Sequence, residues 1–305
     1  MDNNFFASVC TRVALVVAVS LPCSVAAQTP NTARPFDYPP SVCASCAAWN
    51  EPQAPLKIFG NTWWVGTHGL GAILITGPQG HILIDGAIPA SGPSIIAHIR
   101  ELHFLVEDVR LIVNSHDHFD HAGSIAELQR ASGAEVAASA ASARVLRAGN
   151  SAADDPQFGL LHPFEPVPAV RTISDGETLH VGSLAITAHF TPGHTPGGTT
   201  WTWRSCEGSV CKDMVYADSQ TPVSEDHFLF TRNTTYPNAL ADFAHGADVL
   251  DHLPCDILIT PHPSASNFWE RMQAQTLTNP NACRELAATA RKAVAERVAR
   301  EKQGP

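Results

Sequence analysis

The stretch that decides the fold is Asn114-Ser115-His116-Asp117-His118-Phe119-Asp120-His121. It follows directly on the apolar run Val109–Val113, which reads as a buried strand, and it leads into His121–Ser132, which carries a helical pattern. The end of a strand that feeds a helix is where an α/β sheet presents its ligands. Three imidazoles and two carboxylates within six residues do not belong to an apolar core. His116 and His118 are two apart and can point the same way from an extended loop, whereas Asp120 and His121 open the helix and face another point. That spacing serves two adjacent metal ions better than one.

Two further histidines occupy the same kind of position. Thr191-Pro192-Gly193-His194-Thr195-Pro196-Gly197-Gly198 follows the strand run Leu184–Phe190, and Thr260-Pro261-His262-Pro263 follows a strand over Asp256–Thr260. In both, glycine or proline fixes the backbone around one imidazole, as a preorganised ligand requires. The five histidines and Asp120 divide into two three-ligand sets: His116, His118 and His194 for one zinc, and Asp120, His121 and His262 for the other. Three protein ligands per metal leave an open position, which marks catalytic rather than structural zinc.

Working outward, one arrangement occurs twice. Strands are expected over Leu56–Val65, Ala72–Thr76 and His81–Asp85, the last after the turn Gly77-Pro78-Gln79-Gly80. Helices then alternate with strands: Ser91–Leu105 helical, Val109–Asn114 strand, His121–Ser132 helical, Glu135–Ala138 strand, Ala140–Ala148 helical. A second strand-rich block covers Arg171–Ile173, Thr178–Val181, Leu184–Phe190, Thr199–Arg204 and Met214–Ala217, and a long helix is expected around Ala282–Lys302. Strands followed by helices in both halves give two packed sheets with helices outside. Between the halves, Asn150–Pro168 contains four prolines and reads as a long irregular loop, a kind that is often functional.

The whole-chain numbers agree with a folded enzyme. Of 305 residues, 44% are hydrophobic and 16% charged, and the formal net charge is −10, with no Lys/Arg run. This excludes wholesale disorder and argues against nucleic acid or an anionic membrane as the main partner. At the N-terminus, the short apolar run Val13–Leu21 and the small residues Ser24-Val25-Ala26-Ala27 read as a signal peptide cleaved after Ala27. Residues 28–305 would then form a single exported domain. Export leaves six of the eight cysteines, and nearest-neighbour pairing gives Cys206–Cys211, Cys255–Cys283 and Cys43–Cys46, one of 15 connectivities.

With these motifs together, the chain resembles the metallo-β-lactamase superfamily, and specifically its subclass B3, over roughly residues 50 to 290. The resemblance rests on the His116-to-His121 run, His194 in its Gly-His-Thr-Pro-Gly turn, His262 in Thr-Pro-His-Pro-Ser-Ala-Ser-Asn, and Tyr216-Ala217-Asp218-Ser219 with no cysteine near 219. It implies an α/β fold of four layers, the αββα metallo-β-lactamase sandwich, with a two-zinc site in a groove at one edge. It implies periplasmic opening of the β-lactam ring of penicillins, cephalosporins and carbapenems by a zinc-bound hydroxide, and hence antibiotic resistance. Zinc lowers the pKa of bound water to about 7, and a second ion would stabilise the nitrogen anion as the amide breaks. Asp120 would bind the second zinc and orient the hydroxide. Ser219 and Thr221 are candidates to hold the substrate carboxylate, with Gln157 and Phe158 as part of the substrate wall. Asp85 would either hydrogen-bond the metal loop or cap the turn before Gly86. His68 stands where close relatives have a cysteine paired to an N-terminal one, which leaves Cys46 as the partner for Cys43. The remaining histidines are expected to be surface or packing residues, and the protein a monomer with a small-molecule partner.

Two rival readings differ in testable residues. A glyoxalase-II-like thioesterase or lactonase of the same superfamily would use a carboxylate at Asp218 to bridge the metals. A non-catalytic zinc-binding protein would not need the full six-residue set.

Overall fold

Seven strands lie side by side in chain order to form the first sheet: β1 (Leu56–Phe59), β2 (Thr62–Trp64), β3 (Ile73–Gly77), β4 (Gly80–Ile84), β5 (Val109–Val113), β6 (Glu135–Ala138) and β7 (Arg171–Thr172). The computed structural model describes residues 43–303 together with Met1. The expected signal peptide, apart from Met1, and its expected cleavage site therefore lie outside the described residues. β1 to β4 pair antiparallel, with tight turns joining β1 to β2 and β3 to β4 and the segment 65–72 joining β2 to β3, whereas β5 to β7 add in parallel. Parallel addition needs crossovers, and these carry α2 (Gly92–Glu101), α3 (Phe119–Ala122), α4 (Ile125–Ser132) and α5 (Ala140–Ala148); a short α1 (Cys46–Trp49) precedes β1. The second sheet has the order β12-β11-β10-β9-β8, from β8 (Thr178–Val181), β9 (Leu184–Phe190), β10 (Thr199–Glu207), β11 (Val210–Tyr216) and β12 (Ile257–Ile259). Only β11 and β12 pair in parallel, and α6 (Ala239–His252) lies between them in the chain; α7 (Phe268–Gln273) and α8 (Ala282–Gln303) follow.

The layers follow from two-residue periodicity. In β4, Leu83 packs with Ile95, Ile99 and Leu128 of the helices, while Ile82 and Ile84 face the second sheet. β5 divides the same way, with Ile112 toward the helices and Leu111 and Val113 toward Trp201, Met214 and Tyr216. Strands covered on both faces must be apolar throughout, which is why these runs do not alternate in hydropathy. A third cluster joins Val215 and Leu258 of the second sheet to Ala247, Leu250 and Ala287 of α6 and α8. The order is helices, sheet, sheet, helices: the αββα sandwich.

Some boundaries differ from the sequence reading. Leu56–Val65 is not one strand but a hairpin, because the chain turns at Gly60-Asn61. His121–Ser132 is two helices, since α3 begins at Phe119 and stops at Gly123, where an added Cβ would strike Pro89 and the Phe119 carbonyl. β10 and β11 extend to a tight hairpin in which Cys206 and Cys211 face each other and are bonded; Cys255–Cys283 is also formed. The expected Cys43–Cys46 disulfide is absent, and both are free thiols. Burial first, then hydrogen bonding to Cys43, pushes the Cys46 thiol up to about 12, so little of the thiolate that disulfide exchange requires is present. Among the described residues, no helix is long and apolar enough to cross a membrane.

Candidate metal centre

All six candidate ligands leave strand or helix ends at one edge of the sandwich. His116 and His118 sit on the loop after β5, Asp120 and His121 in α3, His194 in the turn after β9, and His262 after β12. The loop after β5 is fixed from behind. Asp85 accepts hydrogen bonds from the Ser115 N–H (2.7 Å) and hydroxyl (2.7 Å), and from the Tyr216 hydroxyl (2.8 Å). Asp85 thus serves the metal loop rather than its own turn. The Asn114 carbonyl accepts from the Trp201 indole at 2.8 Å, and the Ser115 carbonyl from the Thr199 N–H at 2.7 Å. In the turn after β9, Gly193 has φ +136° and lies so close to the Phe243 ring that a side chain would collide with it, so only glycine can lead into His194.

Facing nitrogens of His116, His118 and His194 lie within 4.8 Å of one another, and all three side chains are buried. Each has its outer nitrogen tied. His116 Nδ1 donates to Asp218 Oδ1 at 2.7 Å, His118 Nε2 to Asp155 Oδ2 at 2.9 Å, and His194 Nδ1 to the Thr221 carbonyl at 2.8 Å. Those bonds set the tautomers and leave His116 Nε2, His118 Nδ1 and His194 Nε2 as acceptors. A second group, within the same 4.8 Å limit, joins His116, Asp120 and His121. His262 attaches to it at the mouth: its Nε2 is 3.3 Å from Asp120 Oδ2, as is His121 Nε2, and the His121 and His262 rings are 4.8 Å apart. His116, whose ring centre is 4.3 Å from that of His121, stands at the junction of the two groups. Trp49 of α1 packs on His262 from outside, with ring centres 5.4 Å apart.

Protonation at His116, His194 and Asp120 suits a cation, whereas at His118 burial acts downward but the Asp155 hydrogen bond and charge outweigh it and raise the imidazole above its ordinary value. Burial, with like charge from neighbouring imidazoles, holds His116 well below the ordinary histidine value and His194 down to about 3. For Asp120 burial acts upward, yet the nearby His121 and His262 imidazoles outweigh it and hold the carboxyl well below its usual range. Neutral imidazole and ionised carboxylate are the forms that bind metal. Furthermore, His116 Nε2 and both His121 nitrogens are buried without a hydrogen-bond partner. Orphaned buried nitrogens are costly, and a zinc ion coordinated by nitrogen and carboxylate oxygen fits this donor set.

The candidate substrate contacts lie at the rim. Ser219 is half-buried just past β11, Thr221 is exposed, and Gln157 is half-buried in the long loop beside the exposed Phe158. Thr221 also holds His194 through its carbonyl. Sequence reasoning missed Asp155, although Asp155-Pro156 in a loop already singled out was a signal, and it missed Asp218 as the partner of His116. Asp218 lies behind His116, on the side of the ring away from Nε2, with Oδ1 on Nδ1 and Oδ2 packed against Gly198. His68 instead lies flat on Trp269, ring centres 5.1 Å apart, at the surface.

Known proteins share this architecture. Residues 72–271 match the sequence profile of the metallo-β-lactamase superfamily. The solved Rm3 metallo-β-lactamase is 50% identical, with a TM-score of 0.84 over 85% of this chain and 99% of that one. MEM-A1, a subclass B3 metallo-β-lactamase isolated from a soil metagenome library, is 47% identical with a TM-score of 0.83, over 84% of this chain and 100% of that one. MIM-1 from Novosphingobium pentaromativorans is 43% identical with a TM-score of 0.81, over 87% of this chain and 99% of that one. Similarity at this level across nearly the whole of those proteins, on a fold with the same layers, places the chain in the metallo-β-lactamase superfamily, with its resemblance to subclass B3.

Proposed function

We propose that the protein is a periplasmic dizinc hydrolase that opens the β-lactam ring of penicillins, cephalosporins and carbapenems, released from residues 1–27 as a monomeric domain over residues 28–305. The observation that carries this reading is the convergence of five histidines and Asp120 in one cluster, with three imidazole nitrogens left unpartnered inside it. The similar solved structures are β-lactamases by name, which supports the reaction class. His116, His118 and His194 would hold one zinc, and Asp120, His121 and His262 the other. Bound there, zinc supplies a Lewis acid for the lactam carbonyl and lowers the pKa of water to about 7.

The chain's own groups then place the reactants. Asp120 Oδ2, ionised between His121 and His262, can accept a hydrogen bond from an attacking water and orient it. The hydroxyls of Ser219 and Thr221, just past β11, would bind the substrate carboxylate, and Gln157 and Phe158 would form part of the substrate wall. Asp218 argues against the thioesterase alternative, because its carboxylate is engaged behind His116 instead of lying between the two groups.

The test is hydrolysis of a penicillin, a cephalosporin, a carbapenem and a thioester by purified zinc-loaded protein, with and without chelator. Chelator-sensitive turnover of the lactams supports the proposal; turnover of the thioester alone rejects it. Cell fractionation and N-terminal sequencing test the location, with Gln28 as the expected first residue. Resistance is tested by expression in a susceptible host.

A further inference from the structure

The long loop that rims the site is tied to a metal-facing histidine through one carboxylate. Asp155 is buried, 3% exposed, and uses both oxygens: Oδ2 accepts from His118 Nε2 at 2.9 Å, and Oδ1 from the Gln157 N–H at 2.7 Å. Its own backbone holds the same turn, since Asp155 N–H donates to the Ala152 carbonyl and the Phe158 N–H donates to the Asp155 carbonyl. The next residue, Pro156, offers its carbonyl to the Glu225 N–H, which connects the loop to the segment after Ser219 and Thr221. No other member of the 150–168 loop bonds a candidate metal ligand, and the adjacent Asp154 is turned outward to Arg144 at 2.8 Å.

We infer that Asp155 is a positioning residue that couples the rim loop bearing Gln157 and Phe158 to the His116/His118/His194 site, by gripping His118 with one carboxylate oxygen and the loop backbone with the other. The inference rests on the zinc reading above. The ring of His118 cannot shift to meet a cation without moving the carboxylate that shapes the loop. By the reciprocity of linked equilibria, ordering the loop must favour the metal as much as the metal orders the loop. Asp155 touches neither substrate nor metal in this scheme.

The experiment measures binding of one equivalent of cobalt(II), through its visible absorption, and of zinc by competition with a chromophoric chelator, in wild type, Asp155→Ala, Asp155→Asn and the control Asp154→Ala. Amide exchange over residues 152–160 is followed with and without zinc. Loss of such a carboxylate partner costs about ten- to a hundredfold in metal affinity, so Asp155→Ala should bind that much more weakly and show an altered cobalt spectrum. Asp155→Asn, whose amide oxygen can still accept from His118, should recover most of the affinity, and Asp154→Ala should match wild type. Zinc should slow exchange across the loop in wild type but not in Asp155→Ala. Asp155→Ala affinity within twofold of wild type, or equal zinc protection of the loop in both, would overturn the inference. Should Asp155→Ala fail to fold, Asp155→Ser carries the same test: weaker metal binding with an altered cobalt spectrum and lost loop protection supports the inference, and wild-type affinity or wild-type loop protection overturns it. Wild type that binds neither metal would instead reject the zinc reading.

Discussion

Replacing Asp218 separates two roles for a buried carboxylate. Its side chain is fully buried, as is that of His116, and the two meet at 2.7 Å through Nδ1 and Oδ1. Burial raises the Asp218 carboxyl well above its usual range, with Asp85 and Asp117 adding like charge, and Oδ2 finds no partner. A group so placed is expensive for the fold, so its benefit must come from the ring it grips and from the positive charge that ring receives. Removing such a partner weakens metal binding about ten- to a hundredfold, or roughly 1.4–2.7 kcal/mol. Asp218→Ala should therefore bind the His116-linked zinc more weakly by that factor, yet still reach the wild-type stoichiometry at saturating zinc. Asp218→Asn keeps an oxygen opposite Nδ1 and should fall within about tenfold of wild type. The assay is chelator competition for affinity and atomic emission after equilibrium dialysis for stoichiometry. If Asp218 bridged two metals, either variant would lose one equivalent even at saturation. That result would refute the reasoning, and affinity unchanged within twofold in Asp218→Ala would refute it equally.

Three other expectations follow from the same contacts. Since all three imidazoles of the His116 group are anchored through their outer nitrogens while His121 has neither nitrogen bonded, graded chelation should strip metal in two steps, the His121/His262 site first; a single concerted loss, or release from the His116 group first, contradicts this. Tyr216→Phe removes the hydroxyl that donates to Asp85 at 2.8 Å in a fully buried setting and should cost about 1.5–3 kcal/mol in denaturant unfolding, with no change if that bond is incidental. Chain-entropy arguments give about 3.6 kcal/mol for Cys255–Cys283, with 28 residues of separation, against about 2.2 for Cys206–Cys211, with 5, so paired alanine substitutions should rank in that order; the reverse ranking would contradict the argument, and the unfolded 28–305 domain should titrate two reactive thiols, Cys43 and Cys46.

Local signals carried the fold and the metal cluster in the sequence. Strands such as Ile82-Leu83-Ile84 are apolar throughout because each face meets a different core, and the histidines stand at the chain's strand ends, so both are visible without tertiary information. What was hidden depends on contacts distant in sequence. Asp218 reaches His116 across 102 residues, and Asp155 reaches His118 across 37. Neither pairing has a spacing rule: Asp218 meets His116 only when the two sheets pack, and Asp155 meets His118 only when the long loop between α5 and β7 folds back over the end of β5. The break at Gly123 was hidden for the same reason, since it is set by Pro89 on a different segment. At Cys43 and Cys46 the short spacing was legible but misleading: proximity permits a disulfide, while burial suppresses the thiolate that forms one.

The anchoring pattern also explains how one fold edge can be rigid and adaptable at once. His116, His118 and His194 come from two different sheets, and their three outer contacts reach the rim loop at Asp155 and the segment just past β11 at Asp218 and Thr221. A distortion at either place is resisted by the other, so the geometry of that group is over-determined. His262, by contrast, has a side chain 29% exposed, is held by Asp120 alone, and is covered by Trp49 of a four-residue helix. Its ring is set by few contacts, one to the buried Asp120 and one to the half-buried Trp49. A ligand entering the groove meets the looser group at the mouth and the fixed group at depth. Asp120 stands between them, with Oδ2 3.3 Å from both His121 Nε2 and His262 Nε2 and its carboxylate beside His116, so it can feel a change on either side.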